Sequence, residues 1–421
     1  MKGSFASAQK FYYREGQTVG VVFNASVFAV SWNAELAIAV WRSSCHSGPM
    51  TNNRHFEIFL AAPPGLEETL CSEVRMKGFR QPKVVPGGVT LRGGWPEVWR
   101  ANLWIRGASR VLARVAQFKA EYLSQLEKRA REIKWSEVLR PDVPFKVDVS
   151  CSSSRIYHSG AAAERISKVV TEILGASAEA DADVVLRVRI DQNFCTVSVD
   201  TSGDLLHRRG HKEAVNRAPM RETLASLFLR KCGYDGQETV VDPMCGSGTF
   251  VIEAAEIASR LNPGRSRHFA FEQLATYDEA AWQTMRSVKS ERAPGFCFYG
   301  SDRDAGAIAM SEANALRAGV AECTEFRQAT ISEISPPDGS APGLVILNPP
   351  YGTRIGDKAK LSALYRALGQ RLKEHFKGWR VGILTTEVSL AHATGLPFLP
   401  TGAPIPHGGL KVFLFQTEAL V

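Results

Sequence analysis

From His55 onward the apolar residues fall into short runs that switch between a period of two and a helical period. Phe56 to Ala61 reads as a strand, and Pro63-Pro64-Gly65 opens a helix running to about Lys77, with Gly78 as its cap. Val84, Val85, Val89 and Leu91 around Gly87-Gly88 predict a hairpin, Trp95 to Trp104 a short helix, and Arg110 to Phe118 a strand with Arg110 and Arg114 on its polar side. A second unit follows between about Tyr122 and Ser202. Leu123 to Ile133 is a basic amphipathic helix, Phe145 to Val149 a strand and Gly160 to Leu174 a helix, while Val184 to Ile190 and Cys195 to Val199 alternate like paired strands. Two small α+β modules are expected.

The C-terminal half repeats a strand-then-helix pattern. Thr239 to Asp242, Phe296 to Asp302, Cys323 to Ala329, Leu344 to Asn348, Arg380 to Thr386 and Lys411 to Gln416 are the candidate strands; Thr249 to Ser259, Ala305 to Ala318 and Ala359 to Phe376 are the helices between them. A further helix from Leu224 to Arg230 follows the basic connector Leu205-Leu206-His207-Arg208-Arg209-Gly210-His211-Lys212. This alternation predicts a doubly wound, mostly parallel sheet with its ligand crevice at the strand C-termini. Asp242, Asp302 and Asn348 all sit at strand ends and should converge there.

Two loops at that rim carry chemistry. Val240-Val241-Asp242-Pro243-Met244-Cys245-Gly246-Ser247-Gly248-Thr249-Phe250 is a buried strand breaking at an acid into a glycine turn that enters a helix. Such a turn lets a ligand approach the backbone, and the helix start adds unpaired N–H groups. It is not Gly-x-Gly-x-x-Gly and lacks the Gly-Lys-Ser/Thr of a nucleoside-triphosphate loop. Asp302 comes later than a dinucleotide fold requires, although an insertion from Asn262 to Pro294 accounts for the delay. It suits the two ribose hydroxyls of an adenosine-containing cofactor; capping a helix is its plainer role.

The second loop is Asn348-Pro349-Pro350-Tyr351-Gly352. An exocyclic amine on a nucleobase is a poor nucleophile because its lone pair is delocalised into the ring. Hydrogen bonds accepted by the Asn348 side chain and the Pro349 carbonyl would orient its two N–H bonds, the prolines holding the acceptor rigid. Tyr351 offers a ring face to a base taken out of its stack. Positioning carries most of the effect, and no strong base is needed.

Bulk properties narrow the setting. A chain of 421 residues implies two or three domains, and a formal charge of +8 favours a polyanionic partner. Arg155, His158, Arg165, Lys168, Arg187 and Arg189 in the second module, with Arg208 and Arg209 in the connector, are the candidate phosphate contacts. The eight cysteines are scattered without zinc-ligand spacing, so no metal is expected, and free thiols point to a reducing cytoplasm. The apolar run from Val21 to Trp41 is broken by Asn24, Ser26, Asn33 and Glu35, which argues against a membrane span. Residues 1 to 53 show no clear period and form an expected extension, disordered or preceding a translation start at Met50.

Asp242-Pro243-Met244-Cys245-Gly246-Ser247-Gly248-Thr249 followed by Asn348-Pro349-Pro350-Tyr351-Gly352 resembles the class I S-adenosylmethionine-dependent methyltransferases that modify amino groups on nucleic acid. Pro64-Gly65-Leu66-Glu67, Gly87-Gly88-Val89, Leu206-His207-Arg208-Arg209-Gly210, Ala218-Pro219-Met220-Arg221-Glu222-Thr223-Leu224 and Tyr299-Gly300-Ser301-Asp302 narrow the likeness. It points to THUMP-containing RNA guanine-N2 methyltransferases, in particular the methyltransferase-L half of the bacterial large-subunit rRNA enzyme. The resemblance implies a Rossmann-like catalytic domain at 205–421, preceded by an α+β ferredoxin-like module at 54–120 and an RNA-binding THUMP domain at 121–204. By position it assigns Thr223, Asp242, Pro243, Cys245, Gly246, Ser247, Gly248, Thr249 and Asp302 to the cofactor and Asn348, Pro349, Pro350 and Tyr351 to the target guanine. Where the family has an acid near the adenine this chain has Gln328-Ala329-Thr330-Ile331, leaving Thr330 as the candidate contact.

The implied reaction forms N2-methylguanosine in structured RNA, with 23S rRNA expected and tRNA the alternative substrate. DNA adenine methylation shares the loop logic but not the N-terminal modules, and a non-catalytic RNA-binding role is disfavoured by the intact loops. No obligate protein partner, and no second methyltransferase half, is expected. The proline-rich stretch Leu396 to His407 departs from the pattern.

Overall fold

A computed structural model describes residues 55–213, 220–288, 291–351 and 358–421. The expected extension at 1–53, with its apolar run and Met50, and Ala218, Pro219 and Gly352 of the motifs lie outside the described residues.

The N-terminal modules share one sheet. β1 (Phe56–Ala61), β2 (Lys83–Val85), β3 (Gly88–Gly93), β4 (Arg110–Lys119), β5 (Phe145–Ser152), β6 (Val184–Asp191) and β7 (Phe194–Asp200) run in the order β2-β3-β1-β4-β7-β6-β5. The predicted two modules are therefore continuous through β4 and β7, which pair antiparallel from Leu112–Asp200 to Lys119–Phe194 with an irregularity between Arg114 and Ala116. Alternation explains the layer: Ile58, Leu60, Val111, Ala113, Val197 and Val199 are buried. Helices α1 (Glu67–Met76), α2 (Trp95–Trp104), α3 (Leu123–Arg131) and α4 (Ser159–Leu174) cover the sheet or link its strands, and Gly175 ends α4 in the left-handed conformation at φ 80°.

The C-terminal half begins with α5 (Glu222–Lys231) and builds a second seven-stranded sheet. Its strands are β8 (Val240–Asp242), β9 (Phe298–Asp302), β10 (Thr324–Gln328), β11 (Leu344–Leu347), β12 (Arg380–Thr385), β13 (Ile405–His407) and β14 (Leu410–Gln416), ordered β10-β9-β8-β11-β12-β14-β13. The first five are parallel, and β14 runs antiparallel to β12. Crossover helices α6 (Thr249–Ala258), α8 (Ala305–Ala318) and α9 (Lys358–His375) follow β8, β9 and β11. The strands read as continuous apolar runs because both faces are covered: Leu344 to Leu347 are all buried, and Val345 and Leu347 join Tyr365, Leu368 and Leu372 of α9 in one core. β8 lies where the strand order reverses, β9 and β10 extending one way and β11 and β12 the other.

Three elements lay outside the pattern read from sequence. The stretch taken as an insertion contains α7 (Glu279–Ser287) and an aromatic plug, with Phe271 edge-on to Trp282 at 4.9 Å and stacked on Trp99 of α2 at 6.1 Å. Its backbone is tied back to the N-terminal sheet, Phe271 N donating to the Thr201 carbonyl at 3.1 Å. α10 (Val388–Ala393) follows β12, and the proline-rich stretch ends as strand β13, paired with β14 through Ile405–Val412.

A buried ionic joint links the halves. Arg106, in the loop after α2, donates from Nη1 to Glu253 Oε1 at 2.9 Å and Glu256 Oε2 at 3.0 Å, both on α6. Arg209 of the connector reaches Glu253 Oε2 at 2.6 Å, and Arg265 pairs with Glu256. The surrounding guanidinium groups hold the Glu256 carboxyl below the usual range against the opposing effect of burial. Charges this deep are tolerated because each is paired.

Candidate cofactor cradle and substrate loop

Register fixes the geometry of the rim. Asp242 lies opposite Gly300 of β9, and Val241 opposite Val345 of β11. Asp302 therefore extends two residues past Asp242 on one side, and Asn348 extends past it on the other, each one strand spacing of about 4.8 Å away. The central strand is short, so its end is the floor of a notch whose walls carry Asp302 and Asn348. This is the crevice at the switch point that the strand order calls for.

The glycine turn is built to keep that notch open. Cys245 N donates to the Ser301 carbonyl at 2.9 Å, stitching the turn to the end of β9. Ser311 Oγ donates to the Gly246 carbonyl at 3.0 Å and Asn314 Nδ2 to the Ser247 carbonyl at 3.1 Å, so fully buried polar groups of α8 satisfy the turn from beneath. Gly246 and Gly248 adopt φ of 56° and 80°, which favours glycine. A Cβ on Gly246 would meet nothing within 4 Å, whereas one on Gly248 would lie 3.1 Å from Ile252 and Ser311. One glycine leaves the space above the turn clear; the other lets α6 pack close to α8.

Asp302 Oδ2 accepts from Gly246 N at 3.1 Å and its Oδ1 from Asp304 N at 3.0 Å. Each oxygen keeps a lone pair for a further donor. The helix-capping alternative belongs to Asp304, whose carboxylate accepts from Gly306 N at 2.9 Å at the start of α8. Asp242 is buried, accepts from Met244 N at 3.0 Å, and has its carboxyl pushed up to about 8 by burial and by the neighbouring Asp302. Pro243, Cys245, Ser247 and Thr249 are buried in the turn, and Thr223 is buried one residue into α5. Burial also drives the Cys245 thiol well up, so it is a neutral wall rather than a nucleophile. Thr330 stands apart: its N–H and hydroxyl are both bonded to Glu333 Oε2 at 2.7 Å on an exposed turn after β10.

On the other wall, Asn348 Oδ1 is buried with no hydrogen-bond partner among the described residues. Burial pushes up the phenol of Tyr351, and the Asn348 side chain acts on it in the opposite direction. Tyr365 of α9 donates to the Pro350 carbonyl at 3.3 Å, steadying the loop from the core. An orphaned buried acceptor is costly unless something supplies a donor.

The expected RNA face is less free than its residue types suggest. Arg155 pairs with Glu121 at 2.8 Å, Arg165 with Glu127 at 2.8 Å, Lys168 with Glu172 at 3.8 Å, Arg187 with Asp148 at 2.6 Å and with Asp200 at 2.8 Å, and Arg208 with Asp204 at 3.1 Å. Arg189 pairs with Asp191 at 3.0 Å, and His158 is exposed just before α4. Arg209 is a correction: it is 2% exposed and held in the ionic joint, so it braces α6 and meets no phosphate. Sequence reasoning missed Lys212, Ser311 and Asn314, which support the turn from distant positions. Nothing in their local pattern separates them from ordinary connector or helix residues.

Three family models match in succession. They are the RlmL ferredoxin-like domain at residues 57–112, the THUMP domain at 120–200 and the RMKL-like methyltransferase domain at 209–397. A ribosomal RNA large subunit methyltransferase K/L of Psychromonas ingrahamii is 33% identical over 352 residues, covering 80% of this chain and 47% of that protein. The chain spans about half the length of the curated relatives it matches. Among solved structures, a possible methylase from Clostridium difficile 630 superposes with a TM-score of 0.78 at 28% identity, covering 87% of this chain and 99% of the other. SMU.472, a methyltransferase candidate solved with SAH, gives a TM-score of 0.78 at 25% identity over 87% of this chain and 99% of its own.

Proposed function

The chain is a member of the THUMP-containing, RMKL-like methyltransferases, and on that premise we propose that it transfers a methyl group from S-adenosylmethionine to guanine N2 in ribosomal RNA. The observation that carries the reading is the buried Asn348 Oδ1, which has no hydrogen-bond partner among the described residues and is held at the end of β11 across the notch from Asp302. An exocyclic amine supplies the donor this oxygen lacks. Ribosomal RNA is favoured over tRNA by the large-subunit rRNA methyltransferase named among the relatives and by the RlmL-type first module.

The residues fit the cofactor. Gly246 leaves the space above the turn open, α6 begins there with first-turn N–H groups that a helix does not satisfy internally, and Asp302 retains lone pairs suited to ribose hydroxyls. S-adenosylmethionine supplies the electrophilic methyl group. Pro243, Cys245, Ser247, Gly248, Thr249 and Thr223 shape its methionine end, and Thr330, bonded to Glu333, borders the adenine side. For the target, Asn348 Oδ1 accepts one amine hydrogen and the Pro349 carbonyl the other, turning the nitrogen lone pair out of conjugation and toward the methyl. Tyr351 stacks on the flipped base. Residues 54–120 and 121–204 present the RNA, and residues 205–421 carry out transfer.

Roles on opposite walls of the notch should separate on mutation. Asn348→Ala is expected to cut methyl transfer by at least about 100-fold with cofactor affinity kept within a few-fold, as loss of an aligning group does. Asp302→Ala is expected to weaken cofactor binding about 10-fold or more, read by calorimetry. Equal loss of cofactor affinity in both variants would contradict this division of labour.

A further inference from the structure

Lys212 is a buried lysine at the start of the cofactor helix that neither fold stability nor the reaction as described so far explains. Its side chain is 10% exposed. Nζ donates to the Met220 carbonyl at 2.8 Å and to Thr249 Oγ1 at 2.8 Å, and pairs with Glu222 Oε1 at 3.3 Å. These partners come from the start of α5, the residue Met220 just before it and the first residue of α6, and Lys212, Glu222 and Thr249 line a small cavity together with His211, Ser247 and Glu253. An ammonium has three N–H donors and no acceptor. All three are taken, so Lys212 itself has none left for a ligand.

The consequence lies in Thr249. A hydroxyl has one hydrogen and can rotate it to suit its neighbours, but facing an ammonium it can only accept. Its own hydrogen must then be donated elsewhere. At the first position of α6 the helix N–H groups are unpaired and the dipole end is positive, so a hydroxyl donor there adds to an existing preference for negative charge. A hydroxyl free to rotate would present a lone pair to the same ligand part of the time.

We propose that Lys212 is a positioning residue that locks the Thr249 hydroxyl as a donor toward the carboxylate of the cofactor's methionine end. This rests on the cofactor reading above. Glu222 holds the ammonium in place and neutralises it, so the lysine sets the direction of the hydroxyl without adding net charge to the cavity. The same three contacts tie the start of α5, which carries Thr223, to the start of α6. One side chain thereby orders both chain segments at that end of the cradle.

The test compares two ligands that differ in the group concerned. S-adenosylhomocysteine carries the methionine-derived amino-acid end with its carboxylate, whereas 5′-methylthioadenosine keeps the adenosine and thioether and lacks both that carboxylate and the α-amino group, so the Thr249→Val and Thr249→Ser pair ties any difference to the hydroxyl. Calorimetry on the full chain with Lys212→Met should show S-adenosylhomocysteine affinity falling about 10-fold while 5′-methylthioadenosine affinity stays within twofold. Thr249→Val should give the same pattern, Thr249→Ser should retain wild-type affinity, and Lys212→Met combined with Thr249→Val should lose little more than either alone. A parallel loss for both ligands, multiplicative loss in the double variant, or unchanged S-adenosylhomocysteine affinity overturns the proposal. If Lys212→Met does not fold, the Thr249→Val and Thr249→Ser pair decides by the same ligand contrast, equal loss for both ligands or no loss overturning it. Wild-type protein that binds neither ligand overturns the cofactor reading itself, and is thereby distinct from failure of the lysine's role.

Discussion

Asp242 shows how one residue at a strand end can be read twice. As sequence it is the acid that stops an apolar strand; as structure it is a buried carboxyl on the floor of the notch, raised to about 8 chiefly by burial. An acid whose folded pKa lies above its unfolded value of 3.8 binds its proton more tightly when folded. Its contribution to stability is therefore complete below about pH 4 and is lost as pH rises toward about 8. Thermal unfolding of the cofactor-free protein should show Tm falling less steeply between about pH 5 and 8 in Asp242→Asn than in the wild type. Identical slopes would contradict the buried, protonated state. A cationic ligand placed beside this carboxyl would draw off its proton, which gives the floor of the notch a preference for the positively charged end of S-adenosylmethionine. Asn348 makes the complementary point on the neighbouring wall, since the four-residue loop is plain in the sequence, whereas the absence of a partner for its Oδ1 among the described residues emerges only from the packing around it.

At the scale of elements, most of the fold was legible because each strand and helix obeys its own period. Trp95–Trp104 and Ala305–Ala318 fall where the apolar spacing puts them, and α6 starts at Thr249, where the glycine turn ends. What escaped was set by long-range pairing. Arg106 and Glu253 are separated by 147 positions, and neither segment signals that the other will satisfy its charge. The same holds for Arg209, which in a basic connector looks like a phosphate ligand and in the fold has its side chain buried between two glutamates. Removing one member of such a pair leaves a buried charge uncompensated and costs about 3–5 kcal/mol. Arg209→Met should therefore lower the unfolding free energy by roughly that amount. Arg208→Met, whose ion pair with Asp204 is exposed, should change it by less than about 1 kcal/mol. Denaturant melts of the two variants make the comparison, and a small, equal effect would mean that the joint does not brace α6. The aromatic plug around Phe271 and Trp282 escaped for a related reason: Phe271 packs on Trp99 of the first module, a pairing that the local sequence does not signal.

For the molecule as a whole, these connections make the N-terminal sheet and the catalytic sheet parts of one assembly. The first two modules are continuous through β4 and β7, the ionic joint fastens them to the helix that follows the glycine turn, and the aromatic plug packs on α2. Under the proposed function, RNA held by the N-terminal modules would be presented to a notch beside α6, and among the described residues no helix is long and apolar enough to cross a membrane. The net charge of +8 fits such a partner, although the predicted THUMP cations are already engaged with carboxylates and would exchange those partners for phosphates. The most direct measurement of the central claim is mass spectrometry of nucleosides from unmodified 23S rRNA incubated with the purified chain and isotopically labelled S-adenosylmethionine. The account predicts labelled N2-methylguanosine with the wild type and none above background with Asn348→Ala. Label on adenine N6, label undiminished in Asn348→Ala, or no labelled nucleoside with the wild type would contradict it.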